Sequence, residues 1–185
     1  MPDPGETPSK YERLFFALWP EVALREQIVG CSKPIVQAAR GRAVITENLH
    51  ITLAFLGNVD ASQRACIEEM AGAIDCPPFD VTLDHSGHWS RSRVLCLMPA
   101  NSPAPLSQLA EALQAGASAC GLSLDDSRVY RPHLTLMRKV VFAPEVSVVA
   151  PIRWSVSGFA LLRSVPVPQG VRYDVLREWP LVGVS

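Results

Sequence analysis

A chain of 185 residues, 48% of them hydrophobic, is long enough for one domain with a proper core, and a formal charge of −1 with a pI near 6.4 excludes broad electrostatic coating of a nucleic acid. A nucleotide, if bound, must be held locally. The five cysteines (Cys31, Cys66, Cys76, Cys96, Cys120) are odd in number, widely spaced and without a Cys-x-x-Cys pair, so neither a disulfide framework nor a zinc knuckle is indicated, and a reducing cytoplasm is the expected compartment.

Residues 1–12 read as a flexible, polar, Pro-rich leader and 13–185 as a single folded domain. The apolar run from Leu14 to Trp19 is far too short for a signal-peptide core or a membrane span, so no membrane association is expected. This run stops at Pro20 and predicts a strand buried on both faces. From Glu21 to about Arg40 the spacing of Leu24, Ile28, Ile35 and Ala39 predicts a helix, which Gly30 and Pro34 should end or bend. Val44 to Leu56 follows as a strand closed by Gly57-Asn58. Asp60 is the expected N-cap of a second helix, with Gln63 completing a capping box, and Pro77-Pro78 ends it.

Phe79 to His85 alternates with period two and Arg93 to Met98 is a short apolar run, which predicts two strands joined by a loop over Ser86 to Ser92. Leu106, Leu109, Ala110, Leu113 and Ala117 recur at helical spacing until Gly121 stops the helix. Tyr130 to Met137, Trp154 to Ser164 and Val171 to Trp179 complete the strands. The interleaving is too irregular for a doubly wound sheet, so an α+β fold is expected.

One pattern occurs twice. His-x-Thr-Leu stands at His50 to Leu53 and again at His133 to Leu136, each inside an apolar strand. In an extended strand residues i and i+2 share a face, so each copy presents an imidazole and a hydroxyl on one side and greasy side chains on the other. The two copies suggest equivalent strands in two related lobes whose polar faces line a cleft. A single His-x-Thr is more often a satisfied pair than a site; repetition on two such strands changes that reading. Two imidazoles divide acid and base work near neutrality, and Thr52 and Thr135 are placed to bind the non-bridging oxygens of a phosphate. The arrangement suits metal-free cleavage of a strained cyclic phosphodiester.

Three stretches carry a family resemblance: Arg13-x-Phe-x-Ala, Asn48-Leu-His-x-Thr-Leu-x-Phe-Leu-Gly57 and Arg131-Pro-His-x-Thr-Leu-x-Arg138. Together they resemble the 2H phosphoesterase superfamily, specifically the bacterial RNA 2′,3′-cyclic phosphodiesterase group, also called 2′-5′ RNA ligases. The resemblance implies a bilobal, pseudo-twofold fold of two mainly antiparallel sheets backed by helices around a central cleft. It also implies opening of an RNA terminal 2′,3′-cyclic phosphate to a 2′-phosphomonoester, with ATP-independent 2′-5′ ligation as the reverse capability. The partners are RNA ends or small nucleotides, no cofactor or metal is implied, and the chain is expected to act as a monomer. Carried onto this sequence, His50 is the proton donor to the leaving 3′ oxygen and His133 the base that activates water. The residues alone leave those two roles open.

Arg138 is the natural phosphate partner. It stands an odd number of steps from His133 and faces the cleft only if the strand ends or bulges near Met137. Phe15 is a candidate cleft wall, and Trp89 with Arg91 and Arg93 a candidate stacking and pairing set for an RNA end, against the reading of a loop tryptophan folded onto its own lobe. Asp84, His85 and His88 cluster in sequence but lack further zinc ligands. No Gly-x-Ser-x-Gly, Walker A loop or Gly-x-Gly-x-x-Gly occurs. The alternative from another class is a module that binds a nucleotide or RNA end without turnover, for which a matched acid and base are unnecessary.

Overall fold

The computed structural model describes residues 10–124, 129–145 and 148–183, so nearly all of the expected leader lies outside the described residues. In chain order the elements are β1 (Glu12–Leu18), α1 (Val22–Ala38), β2 (Arg40–Ala43), a 3-10 turn at Thr46–Asn48, β3 (Ile51–Val59), α2 (Ala61–Gly72), β4 (Phe79–Trp89) and β5 (Val94–Met98). They continue with α3 (Ala104–Ala119), β6 (Leu134–Phe142), β7 (Val148–Val156), β8 (Gly158–Val167) and β9 (Gly170–Pro180). Among the described residues no helix is long and apolar enough to cross a membrane.

The strands form an antiparallel sheet in the order β7-β4-β5-β6-β3-β1-β8-β9, with β2 paired to β6. Its two halves meet between β3 and β6, where the register holds one pair, Ile51 opposite Leu134. The expected two lobes are thus two half-sheets hinged on a single rung, and the fold is α+β. The helices cross over: α1 follows β1 yet packs on β6 and β7, whereas α3 follows β5 and packs on β3. Each half is therefore backed by a helix from the other half's run of sequence, which locks them over a continuous core containing Phe16, Leu53, Leu109, Leu113, Leu134 and Ile152. β1 is buried on both faces, as its composition predicts: Leu14 and Phe16 enter that core, while Phe15 and Ala17 join Ala160 and Leu162 beneath the opposite face.

Several local expectations are corrected by tertiary pairing. α1 runs unbroken through Pro34; the carbonyl left without its amide partner belongs to exposed Gly30, where solvent can reach it. The strand expected from Val44 begins only at Ile51, because residues 46–48 wind into the 3-10 turn, and it continues through Gly57-Asn58 to Val59. Gly57 adopts φ 72°, beside an irregularity in the pairing with β1 that a left-handed glycine accommodates. β4 does not end at His85 but extends to Trp89, since residues 85–89 pair with β5, and only the turn at 90–93 remains of the expected loop. The expected strand from Trp154 is two strands divided at Ser157, and the second His-x-Thr strand starts at Leu134 and extends to Phe142.

The α2 N-terminus is as expected: Asp60 Oδ1 accepts from the Ser62 and Gln63 amides at 2.9 Å, and Gln63 Oε1 accepts from the Asp60 amide. The cysteine expectation is corrected for one pair. Cys66 on α2 and Cys120 at the end of α3 form a disulfide, with their Cα atoms 5.8 Å apart, while Cys31, Cys76 and Cys96 are free. The two helices pack closely, with Met70 lying over Gly116, where a Cβ would collide with its side chain. Sequence separation conceals that contact.

Candidate active site

The rung between Ile51 and Leu134 organises the site. Both side chains are fully buried in the core, so the residues that flank them turn to the other face. Stepping outward in antiparallel register sets His50 across from Thr135 and Thr52 across from His133. The duplicated pattern becomes one constellation of two imidazoles and two hydroxyls.

Both histidines are held by the same local device. The carbonyl two residues earlier accepts from Nδ1–H: Asn48 O for His50 at 2.7 Å and Arg131 O for His133 at 2.8 Å. This bond fixes the neutral tautomer with Nε2 as the free, reactive nitrogen. At His50 that nitrogen accepts a hydrogen bond from the Thr52 hydroxyl at 3.0 Å. Asn48 is itself pinned by its side-chain amide, which donates to Val171 O on β9 at 2.7 Å.

The surroundings of the two rings differ. His50 is 9% exposed and enclosed by Phe15, Tyr173 and Trp19, with ring centroids 5.1, 5.2 and 6.0 Å away. Burial pushes its pKa down to about 4, helped by the positive charges of Arg138, His133 and Arg25 and opposed by the bond to Asn48 O. His133 packs against Trp89, 4.4 Å between centroids, and is also lowered, first by burial and then by Arg138, against the opposing bond to Arg131 O. Both imidazoles are therefore harder to protonate in the empty site than a free imidazole.

Arg138 reaches the cleft by the route that parity demands. Between Thr135 and Met137 the pairing with β5 slips, with two steps on β6 matched to one on β5, and Leu136 and Met137 are consecutively buried. This bulge turns Arg138 onto the face of His50 and Thr135, with which it lines a cavity of about 330 Å³. Arg42, Lys139 and Tyr173 line it too, and the Arg42 guanidinium donates to Gln169 O in the β8–β9 turn. Phe15 is a wall, as the resemblance suggests. Trp89 lies at the end of a strand beside His133 rather than on a loop, and Arg93 is spent on the Lys139 and Val140 carbonyls. Arg91 lies in the exposed 90–93 turn and lines neither cleft cavity. His85 is tied to Asp84 at 2.8 Å, and among the described residues no group of metal-ligating side chains forms.

Sequence reasoning missed Tyr173, Arg42, Lys139 and Arg25. Arg25 is a buried guanidinium stacked on Trp19 at 4.3 Å, with its Nε unpartnered among the described residues. An arginine within an otherwise helical apolar spacing was the available signal. Tyr173 and Arg42 offered none, since their position depends on which strands pair.

A model of the 2′-5′ RNA ligase superfamily matches residues 21–166, a span containing both His-x-Thr segments. The chain belongs to this superfamily. Among relatives in the 2′-5′ RNA ligase superfamily, the RNA 2′,3′-cyclic phosphodiesterase of Escherichia coli (strain K12) is 38% identical over 177 residues, covering 94% of this chain and 98% of the relative. A phosphoesterase crystal structure superposes with a TM-score of 0.86 at 36% identity, covering 92% of this chain and 98% of that one. The crystal structure of E. coli LigT complexed with 3′-AMP superposes with a TM-score of 0.82 at 36% identity and the same coverage.

Proposed function

We propose that this chain opens RNA terminal 2′,3′-cyclic phosphates to 2′-phosphomonoesters by two-histidine acid and base catalysis. The observation that carries the reading is the Ile51–Leu134 rung, which sets each histidine across from the other copy's threonine on one face. A relative of this length and identity with that activity, and a structural neighbour complexed with a 3′-nucleotide, support it.

In this reading the cyclic phosphate lies between the two Nε2 atoms. His133 takes a proton from water as the water oxygen bonds to phosphorus, the bond from phosphorus to O3′ breaks, and His50 delivers its proton to O3′. Thr52, Thr135 and Arg138 hold the non-bridging oxygens as charge develops. His50 is neutral in the empty site and must gain a proton on binding. The low-dielectric aromatic box that depresses its pKa also magnifies the pull of an anionic phosphate, so the substrate itself charges the acid. Pure binding explains neither the matched tautomers nor the second histidine, which disfavours the module without turnover.

The test is incubation with an oligonucleotide ending in 2′,3′-cyclic phosphate, in EDTA, with identification of the product. A 2′-phosphate is expected, and His50→Ala and His133→Ala should each lose it. Absence of opening, or undiminished opening by both variants, overturns the reading; a 3′-phosphate product overturns its regiochemistry.

A further inference from the structure

The Ile51–Leu134 rung divides the cleft in two: a cavity of about 630 Å³ between β3 and residues 129–133 opens on the His133 side, and the cavity of about 330 Å³ opens on the His50 side. The smaller one is strongly charged. Arg42, Arg138 and Lys139 line it, no carboxylate does among the described residues, and the chain as a whole carries −1. Arg42 on β2 pairs directly with Arg138 on β6, which sets two cationic side chains about 5 Å apart at Cα. Like charges placed so destabilise a sheet, and an anion between them reverses the sign. Lys139 joins them through its backbone. Consecutive strand residues point to opposite faces, yet Lys139 holds φ 55°, a left-handed conformation uncommon for a residue with a side chain, and it lines the same cavity as Arg138. Arg93 braces that distortion, its guanidinium donating to Lys139 O at 3.3 Å and Val140 O at 3.4 Å. Arg42 is fixed from the other side: its guanidinium donates to Gln169 O, and a Cβ at Gly170, whose φ is 144°, would come within 2.9 Å of it. A carbonyl orients that guanidinium but leaves its charge uncompensated.

We propose that the His50 cavity is a subsite for a second phosphate, in which Arg42 and Lys139 bind the phosphate on the 5′ side of the terminal nucleoside while Arg138 holds the cyclic one. The inference rests on the cyclic phosphodiesterase reading. In-line displacement puts the attacking and leaving oxygens on opposite sides of phosphorus, so with water arriving from the His133 side, O3′ leaves toward His50. O3′ belongs to the ribose of the terminal nucleoside. That ribose therefore lies on the His50 side, and its C5′ carries the next phosphate into the cavity that Arg42 and Lys139 line. One cation answers the cyclic phosphate, and two remain for the second. Tyr173, Val44 and Val171 supply apolar wall for the nucleoside itself. The chain thus discriminates among ends: a nucleoside 2′,3′-cyclic phosphate with a free 5′-hydroxyl leaves two cations unanswered and is the poorer substrate. An internal phosphodiester of an RNA strand and the 5′-monophosphate of a single nucleotide offer the same anionic group.

The experiment compares kcat/KM for three substrates: a nucleoside 2′,3′-cyclic phosphate with a free 5′-hydroxyl, the same nucleoside with a 5′-monophosphate, and a dinucleotide ending in the cyclic phosphate. The second and third should exceed the first roughly tenfold, through KM rather than kcat. Lys139→Gln and Arg42→Gln should each remove most of that advantage while leaving the bare nucleoside within about twofold. Lys139→Gln is the decisive variant, because it leaves the Arg42 bond to Gln169 O in the β8–β9 turn intact. An advantage shared by both phosphate-bearing substrates assigns the subsite to the phosphate group alone; one confined to the dinucleotide and lost in Lys139→Gln assigns it to an RNA strand. Equal kcat/KM on all three substrates overturns the proposal. So does an advantage that survives both variants, or an equal loss on all three, which would make these cations a general field over the cleft. Failure to open any of the three would refute the parent reading instead.

Discussion

Ile51 and Leu134 face each other across the two halves of the sheet, and each immediately follows a histidine in sequence. One apolar contact thereby sets the relative position of two polar groups that no hydrogen bond joins. The core face holds the halves together and the opposite face carries both histidines.

In the proposed mechanism acid and base act on one phosphate, so the two histidines should not contribute independently. Each alanine variant is expected to lose about 10²- to 10⁴-fold in kcat, and the double variant little more than the worse single one. Single-turnover rates on a cyclic-phosphate substrate check this; multiplicative losses would separate the two residues.

The pH dependence follows from the two depressed pKa values. Catalysis needs one protonated and one neutral ring, so the rate falls where both are protonated and where both are neutral, and burial lowers both rings, His50 to about 4. The kcat/KM profile should therefore be bell-shaped with its maximum on the acid side of pH 6.5. Bound phosphate raises both values, so kcat should peak at higher pH than kcat/KM. A kcat/KM optimum above pH 7.5 would contradict the assignment.

Stability should show the same group. The folded chain refuses a proton at His50 that the unfolded chain accepts, so stability falls as pH drops from 6.5 through about 4. The loss attributable to His50 is roughly 3 kcal/mol. Urea unfolding of the wild type against His50→Phe, which removes the titrating group while keeping an aromatic ring, should show the difference narrowing across that window.

Arg138 disfavours protonation of both histidines by its charge. Arg138→Ala should move both limbs of the kcat/KM profile toward higher pH and raise KM through loss of the phosphate partner. Arg138→Lys should retain most of the pH position while recovering only part of the KM, since an ammonium lacks the guanidinium fork. A loss of rate with no movement of the profile would place Arg138 outside the field of the two rings.

The Cys66–Cys120 bond closes a sequence separation of 54 residues, and neither cysteine lines the cleft cavities. Cys66→Ser should cost up to about 4 kcal/mol of stability through the unfolded state, with cyclic-phosphate opening at 25 °C retained. Thermal melts with and without reductant check it.

Much of this was legible in the chain itself. Alternation placed His50 and Thr52 on one strand face, the Asp60 and Gln63 spacing declared a helix start, and the repeated His-x-Thr singled out the candidate reactive groups, because each of these depends on residues within a few positions of one another. Strand limits were less legible. Where β3 begins, how far β4 runs and whether Arg138 faces the cleft depend on partners distant in sequence, whose hydrogen bonds override local preference. The disulfide was hidden for the same reason.

The sequence by itself determined two amphipathic strands bearing matched imidazoles and hydroxyls, since side-chain direction in a strand is set by the backbone's own period. Only the tertiary structure decided that a single rung at Ile51 and Leu134 would set each histidine across from the other copy's threonine, and that the strands would then part to leave a cavity on either side. Register between strands so far apart is fixed by how the whole core closes, and that is information no local pattern carries.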